Sequence, residues 1–125
     1  MKPTILIIED NEQNLYLATF LLERSGHAVV AARSGPEGLA KALEIRPDLI
    51  LLDIQLPGMD GYAVAREMRK NAALDGVPIV AVTSYAMVGD RERALEAGCL
   101  GYIEKPINPD TFRAEIDKLL TPRPA

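Results

Sequence analysis

Short apolar runs recur along the chain at 4–8, 27–32, 48–53, 78–83 and 100–104. The run Leu49-Ile50-Leu51-Leu52 has no polar member, the pattern of a strand covered on both faces. Between the runs, apolar residues return at helical spacing. The first helix is expected over 11–25, with Leu15, Thr19, Leu22 and neighbouring Leu21 inward and Gly26 as its stop. The second is expected over 35–45, with Ser34 as N-cap, Pro36 at an early helical position and Arg46-Pro47-Asp48 as its end. A third is expected over 61–71 and a fourth over 88–97, stopped by Gly98. The fifth begins near Pro109 and buries Phe112, Ile116, Leu119 and Leu120. Strand and helix alternate five times. Each connection is long enough for a right-handed crossover, so the pattern predicts a doubly wound (βα)₅ α/β fold with a parallel sheet and helices on both faces.

The 125 residues make one domain, expected over 1–120, with 121–125 as a short frayed tail. No apolar run approaches the roughly 20 residues of a membrane span. The net charge of −4, the absence of Trp and the presence of only 2 Phe and 4 Tyr argue against a nucleic-acid partner. Cys99 is the sole cysteine, which excludes an internal disulfide and a cysteine zinc site and points to a reducing cytoplasm. His27, the sole histidine, is expected at the surface or an edge.

Ligands of an open parallel sheet bind outside the carboxyl ends of its strands. Strand 1 there leads into Glu9-Asp10, strand 3 ends in Asp53, strand 4 in Thr83-Ser84, and strand 5 is followed by Lys105-Pro106. Each residue alone has an ordinary explanation, as a helix cap, a turn former or a solvated lysine. Their meeting on one edge is what points to chemistry. Three adjacent carboxylates repel unless a cation neutralises them. A hard divalent ion such as Mg²⁺ suits a site of few carboxylates, waters and a phosphate. A carboxylate so placed can attack phosphorus and form an acyl phosphate, with metal and ammonium stabilising the phosphoryl oxygens.

The blocks Ile5-Leu6-Ile7-Ile8-Glu9-Asp10-Asn11, Leu52-Asp53-Ile54-Gln55-Leu56-Pro57-Gly58-Met59-Asp60-Gly61, Val80-Ala81-Val82-Thr83-Ser84 and Tyr102-Ile103-Glu104-Lys105-Pro106 resemble, in order and spacing, the signature blocks of the response-regulator receiver family. The resemblance runs from about Thr4 to Leu120. It implies a flavodoxin-like (CheY-like) fold with strand order 2-1-3-4-5. It also implies that Asp53 receives a phosphoryl group from a histidine kinase or a histidine phosphotransfer protein. Asp10, Asp53 and the backbone carbonyl of Gln55 would ligate Mg²⁺, with Glu9 acting largely through water. Lys105 would pair with the phosphoryl group, Thr83 would donate its hydroxyl to it, and Ser84 would leave room. Tyr102 would be an aromatic switch, and the bond before Pro106 would be cis. Gln55 and Tyr85 flank the route of an attacking water; a bulky Tyr85 would either slow hydrolysis or pack on the surface.

Other readings fit less well. A phosphohydrolase with an aspartyl nucleophile would place an acid/base Asp where Gln55 stands. A flavin carrier needs a phosphate-cradling first loop, and Glu9-Asp10-Asn11-Glu12 would repel phosphate. A scaffold with a dead site would not need Asp10, Asp53, Thr83, Tyr102 and Lys105 together. The expectation is a stand-alone cytoplasmic receiver that is not an enzyme acting on a separate substrate, although it assists its own phosphorylation and dephosphorylation. Its output would be protein–protein binding through the fourth helix, fifth strand and fifth helix, where Asp90, Arg91, Arg93, Arg113 and Asp117 offer charge.

Overall fold

Residues on alternate sides of each inner strand enter two different cores. The computed structural model describes residues 2–56, 58, 60–84 and 88–120. The strands are β1 (Thr4–Ile8), β2 (Ala28–Ala32), β3 (Leu49–Asp53), β4 (Ile79–Thr83) and β5 (Gly101–Glu104). All pair in parallel, in the order β2-β1-β3-β4-β5 that the family resemblance implied. Ile5 and Ile7 of β1, Leu49 and Leu51 of β3, and Val80 and Val82 of β4 pack on one side with Leu15, Leu22, Phe112 and Ile116. Leu6, Ile8, Ile50, Leu52, Ile79 and Ala81 face the other side, against Tyr62, Val64, Met68 and Ala94. This two-residue period explains why the inner strands tolerate no polar residue before their ends.

The helices are α1 (Glu12–Arg24), α2 (Gly35–Ile45), α3 (Gly61–Arg69), α4 (Asp90–Glu96) and α5 (Pro109–Leu119), with a 3₁₀ turn at Ala72–Leu74. The Ser34 hydroxyl caps α2 by accepting from the Glu37 N–H at 3.2 Å, as its sequence predicts. Asn11, Asp60 and Asn108 cap α1, α3 and α5 in the same way. None of the described helices is long and apolar enough to cross a membrane.

Several details differ from the sequence reading. Ala18, not Thr19, joins Leu15 and Leu22 in the buried face of α1, because the small side chain lets the helix approach the sheet. Helix α3 stops at Arg69, whose guanidinium donates to the carbonyls of Gly98 at 3.1 Å, Leu74 at 3.1 Å and Val77 at 2.5 Å. Helix α4 begins only at Asp90, after Gly89 as N-cap. Leu119 and Leu120 are partly buried. His27 is buried rather than superficial, because its Nε2 reaches Asp117 of α5 at 3.3 Å. Tyr85 and the tail 121–125 lie outside the described residues.

Candidate functional site

Parallel pairing without slippage brings the strand ends to one edge. Ile8 stands opposite Leu52, Asp53 opposite Val82, and Thr83 opposite Glu104. The ladder continues past the ends: Glu9 N–H donates to Ala32 O at 2.9 Å, Ile54 N–H to Val82 O at 3.0 Å, and Lys105 N–H to Thr83 O at 2.7 Å. Backbone bonding therefore holds the bases of Glu9, Asp53, Thr83 and Lys105. Asn11 turns the chain into α1, and its N–H donates to Glu9 Oε2 at 3.2 Å.

The carboxylates of Glu9, Asp10 and Asp53 each offer an oxygen within 4.8 Å of the others. Glu9 and Asp53 are buried, whereas Asp10 is exposed at the rim. Lys105 reaches between the two buried acids, 2.6 Å from Glu9 and 3.2 Å from Asp53. Burial pushes the Glu9 carboxyl up from 4.5 to about 7, with a hydrogen bond to Asp53 and the charge of Asp53 adding to the rise and Lys105 and the Asn11 N–H opposing it. Three carboxylates against one ammonium leave an excess of negative charge that a single divalent cation would cancel. The donors are all oxygen, so the set fits a hard cation such as Mg²⁺ rather than a soft metal.

Gln55 bridges the β3 and β4 ends. Its N–H donates to Asp53 Oδ1 at 2.9 Å, its Nε2 donates to the Thr83 hydroxyl, and its Oε1 accepts from the Ser84 N–H at 3.0 Å. The sequence reading gave Gln55 a backbone carbonyl for Mg²⁺ and a place beside the route of an attacking water, but not these side-chain bonds. Its position two residues beyond a strand-end Asp was the sole hint of the rest.

Tyr102 lies opposite Ala81 and packs against the core on the α3 side. Its hydroxyl is buried without a hydrogen-bond partner among the described residues. The Arg91 guanidinium stands 5.5 Å from its ring centre, and Arg93 stands 4.7 Å from the ring of Tyr62. Of the charges expected on the outer face, Asp90 is buried, whereas Asp117 stays exposed while it meets His27. The Lys105–Pro106 peptide is cis.

A five-stranded parallel sheet in this order, with an acidic cluster and a lysine at its carboxyl edge, defines a phosphorylation-type receiver. The response regulator receiver domain family matches residues 5–117, and the chain belongs to it. The polar-differentiation response regulator DivK of Brucella anthropi is 43% identical over 120 residues, covering 96% of this chain and 98% of the relative. A solved response regulator from Chloroflexus aurantiacus, described as putative, superposes with a TM-score of 0.92 at 27% identity, covering 98% of this chain and 100% of that one. The receiver domain of a sensor histidine kinase from Pseudomonas aeruginosa superposes with a TM-score of 0.82 at 37% identity, covering 96% and 95%. That structure holds a magnesium ion coordinated in its active-site cleft.

Proposed function

We propose that Asp53 accepts a phosphoryl group from the phosphohistidine of a histidine kinase or histidine phosphotransfer protein, and that the phosphorylated chain signals by binding another protein. The observation that carries this reading is the buried Asp53 carboxylate held 3.2 Å from Lys105, with Glu9 and Asp10 beside it. The receiver unit on this reading is 1–120, followed by the tail 121–125. It works in the cytoplasm, in keeping with its buried free thiol, Cys99.

An Asp53 oxygen forms the new bond to phosphorus as the phosphorus–nitrogen bond breaks, and the imidazole leaves with the electron pair. Mg²⁺, held by Asp10, Asp53 and the Gln55 carbonyl, with Glu9 acting through water, would neutralise charge on the phosphoryl oxygens. Lys105 turns from Glu9 and Asp53 toward a phosphoryl oxygen. The Thr83 hydroxyl donates to another, with small Ser84 leaving room, and Tyr102 moves into the space that Thr83 vacates. The chain thereby assists its own phosphorylation, and its dephosphorylation by water, without turning over a separate substrate. The responding surface is α4, β5 and α5, where a cleft of about 230 Å³ opens between Arg91, Tyr102, Glu104, Pro106 and Thr111.

A small phosphodonor with Mg²⁺ should add one phosphoryl mass, and chelating the Mg²⁺ should stop it. A chain that stays unlabelled with Mg²⁺ present overturns the reading. Thr83→Ala should still be phosphorylated, yet its α4–β5–α5 resonances should shift less than those of the parent protein on adding beryllofluoride and Mg²⁺. The loss expected is about 1–3 kcal/mol of coupling.

The raised Glu9 pKa gives the site a pH dependence. Between about pH 4.5 and 7 the folded chain holds a proton on Glu9 that the unfolded chain has lost. This contribution is complete below 4.5 and is lost as pH rises through about 7. Metal-free protein should therefore lose this share of stability on going to pH 8. Mg²⁺ should raise the melting temperature more at pH 8 than at pH 6, because it competes with that proton. Parallel melts with and without Mg²⁺ measure both effects.

A further inference from the structure

The side chain of Gln55 spans the mouth of the site and holds the end of β4. The Ser84 N–H can only donate, so the Gln55 oxygen must face it at 3.0 Å and the amide NH₂ must face the Thr83 hydroxyl. The same residue's N–H is bonded to Asp53 at 2.9 Å. One residue thus joins the acceptor carboxylate to two positions that lie 28 and 29 residues further along the chain. These bonds fix Thr83 and Ser84 relative to Asp53 before any phosphate arrives.

The geometry points to Gln55 as the latch that keeps the Thr83–Ser84 segment in its resting position. This inference rests on the proposal that Asp53 is the phosphoacceptor. A phosphoryl group on Asp53 brings strong acceptor oxygens to within reach of both the Thr83 hydroxyl and the Gln55 NH₂. The Gln55 NH₂, which now donates to the Thr83 hydroxyl oxygen, then has a stronger acceptor in the phosphoryl group, Thr83 turns its own proton to that group, and the clasp on Thr83 opens. Gln55 and Ser84 are exposed, so water competes for their bonds and the latch is weak enough to release. Gln55 acts as a positioning residue: through its side chain it sets how far the unphosphorylated chain favours the resting packing over the responding one.

The test uses the unphosphorylated full chain and two variants. Gln55→Met keeps the length of the side chain and removes both hydrogen bonds. Gln55→Glu keeps an acceptor for Ser84. Amide exchange at Ser84 should be about five- to tenfold faster in Gln55→Met, the scale of one lost exposed hydrogen bond, and near that of the parent protein in Gln55→Glu. The Thr83 resonances of Gln55→Met should move toward the positions that the parent protein adopts with beryllofluoride and Mg²⁺. Unchanged Ser84 exchange in Gln55→Met, or Thr83 resonances that stay in place, would overturn the latch. The exchange measurement needs no phosphate analogue. A parent protein that ignores beryllofluoride therefore counts against Asp53 as acceptor, while the Ser84 exchange rates still decide the latch.

Discussion

Asp53→Asn should take up no phosphoryl group under conditions that label the parent protein. The side chain ends β3, is buried, and presents one oxygen to Lys105 at 3.2 Å and the other to the Gln55 N–H at 2.9 Å. An amide of the same shape fits this space but lacks the anionic oxygen that attacks phosphorus, so labelling should fall by roughly 100-fold or more. The fold should survive. Asparagine removes one of two buried like charges, and the Glu9 carboxyl loses a neighbour that lifts its pKa. The metal-free variant should melt no lower than the parent protein at pH 8. Intact-mass measurement after incubation with a small phosphodonor and Mg²⁺ decides the matter: equal mass gain in the variant would remove Asp53 from the acceptor role.

Gly61→Ala should be the most damaging single-methyl addition near the site. Gly61 opens α3, and its N–H donates to Ile54 O at 3.1 Å. A Cβ there would sit 2.5 Å from Ile54 Cα and 2.7 Å from Asp53 O. Both are backbone atoms of the segment that carries the acceptor, and β3 is pinned between β1 and β4. The start of α3 must move instead, although Tyr62, Val64, Ala65 and Met68 are buried along it. The expected cost is roughly 2–3 kcal/mol, or a fall in melting temperature of about 10 °C. Gly58, at φ 73° with nothing among the described residues within 4 Å of its Cβ position, is the comparison. Gly58→Ala carries only the left-handed backbone strain, about 1–2 kcal/mol. Thermal melts that rank the two variants in the opposite order would show that the close approach at Gly61 is relieved cheaply.

The alternation of strands and helices and the caps that bond within one turn match the structure, whereas the far end of α3 and the start of α4 were misjudged. Inner strands are apolar between their end residues because a parallel sheet covered on both faces leaves no solvent side. Once the strands are parallel, their carboxyl ends share an edge, so the meeting of Glu9, Asp10, Asp53, Thr83 and Lys105 was legible from the strand boundaries alone. Ser34 and Pro36 marked the start of α2 for an equally local reason, since a cap bonds an N–H three residues away.

Only the tertiary structure decided which distant side chains meet. His27 reaches Asp117 across 90 residues, Lys105 reaches Glu9 across 96, and Gln55 holds Thr83 across 28. Each pairing depends on helix placement and side-chain rotamer, and no periodicity records either. The choice of Ala18 over Thr19 depends on the rotation of α1 against the sheet, which close packing of the whole face sets. Asp90 and the arginines that stack on Tyr62 and Tyr102 read as ordinary surface charge until α4 is set against α3 and β5. The sequence by itself determined the alternation of strands and helices and the edge where the carboxylates gather, because spacing along one chain encodes burial; the strand order followed from the family resemblance. The contacts between those elements were settled by packing, because a contact is a property of two segments at once.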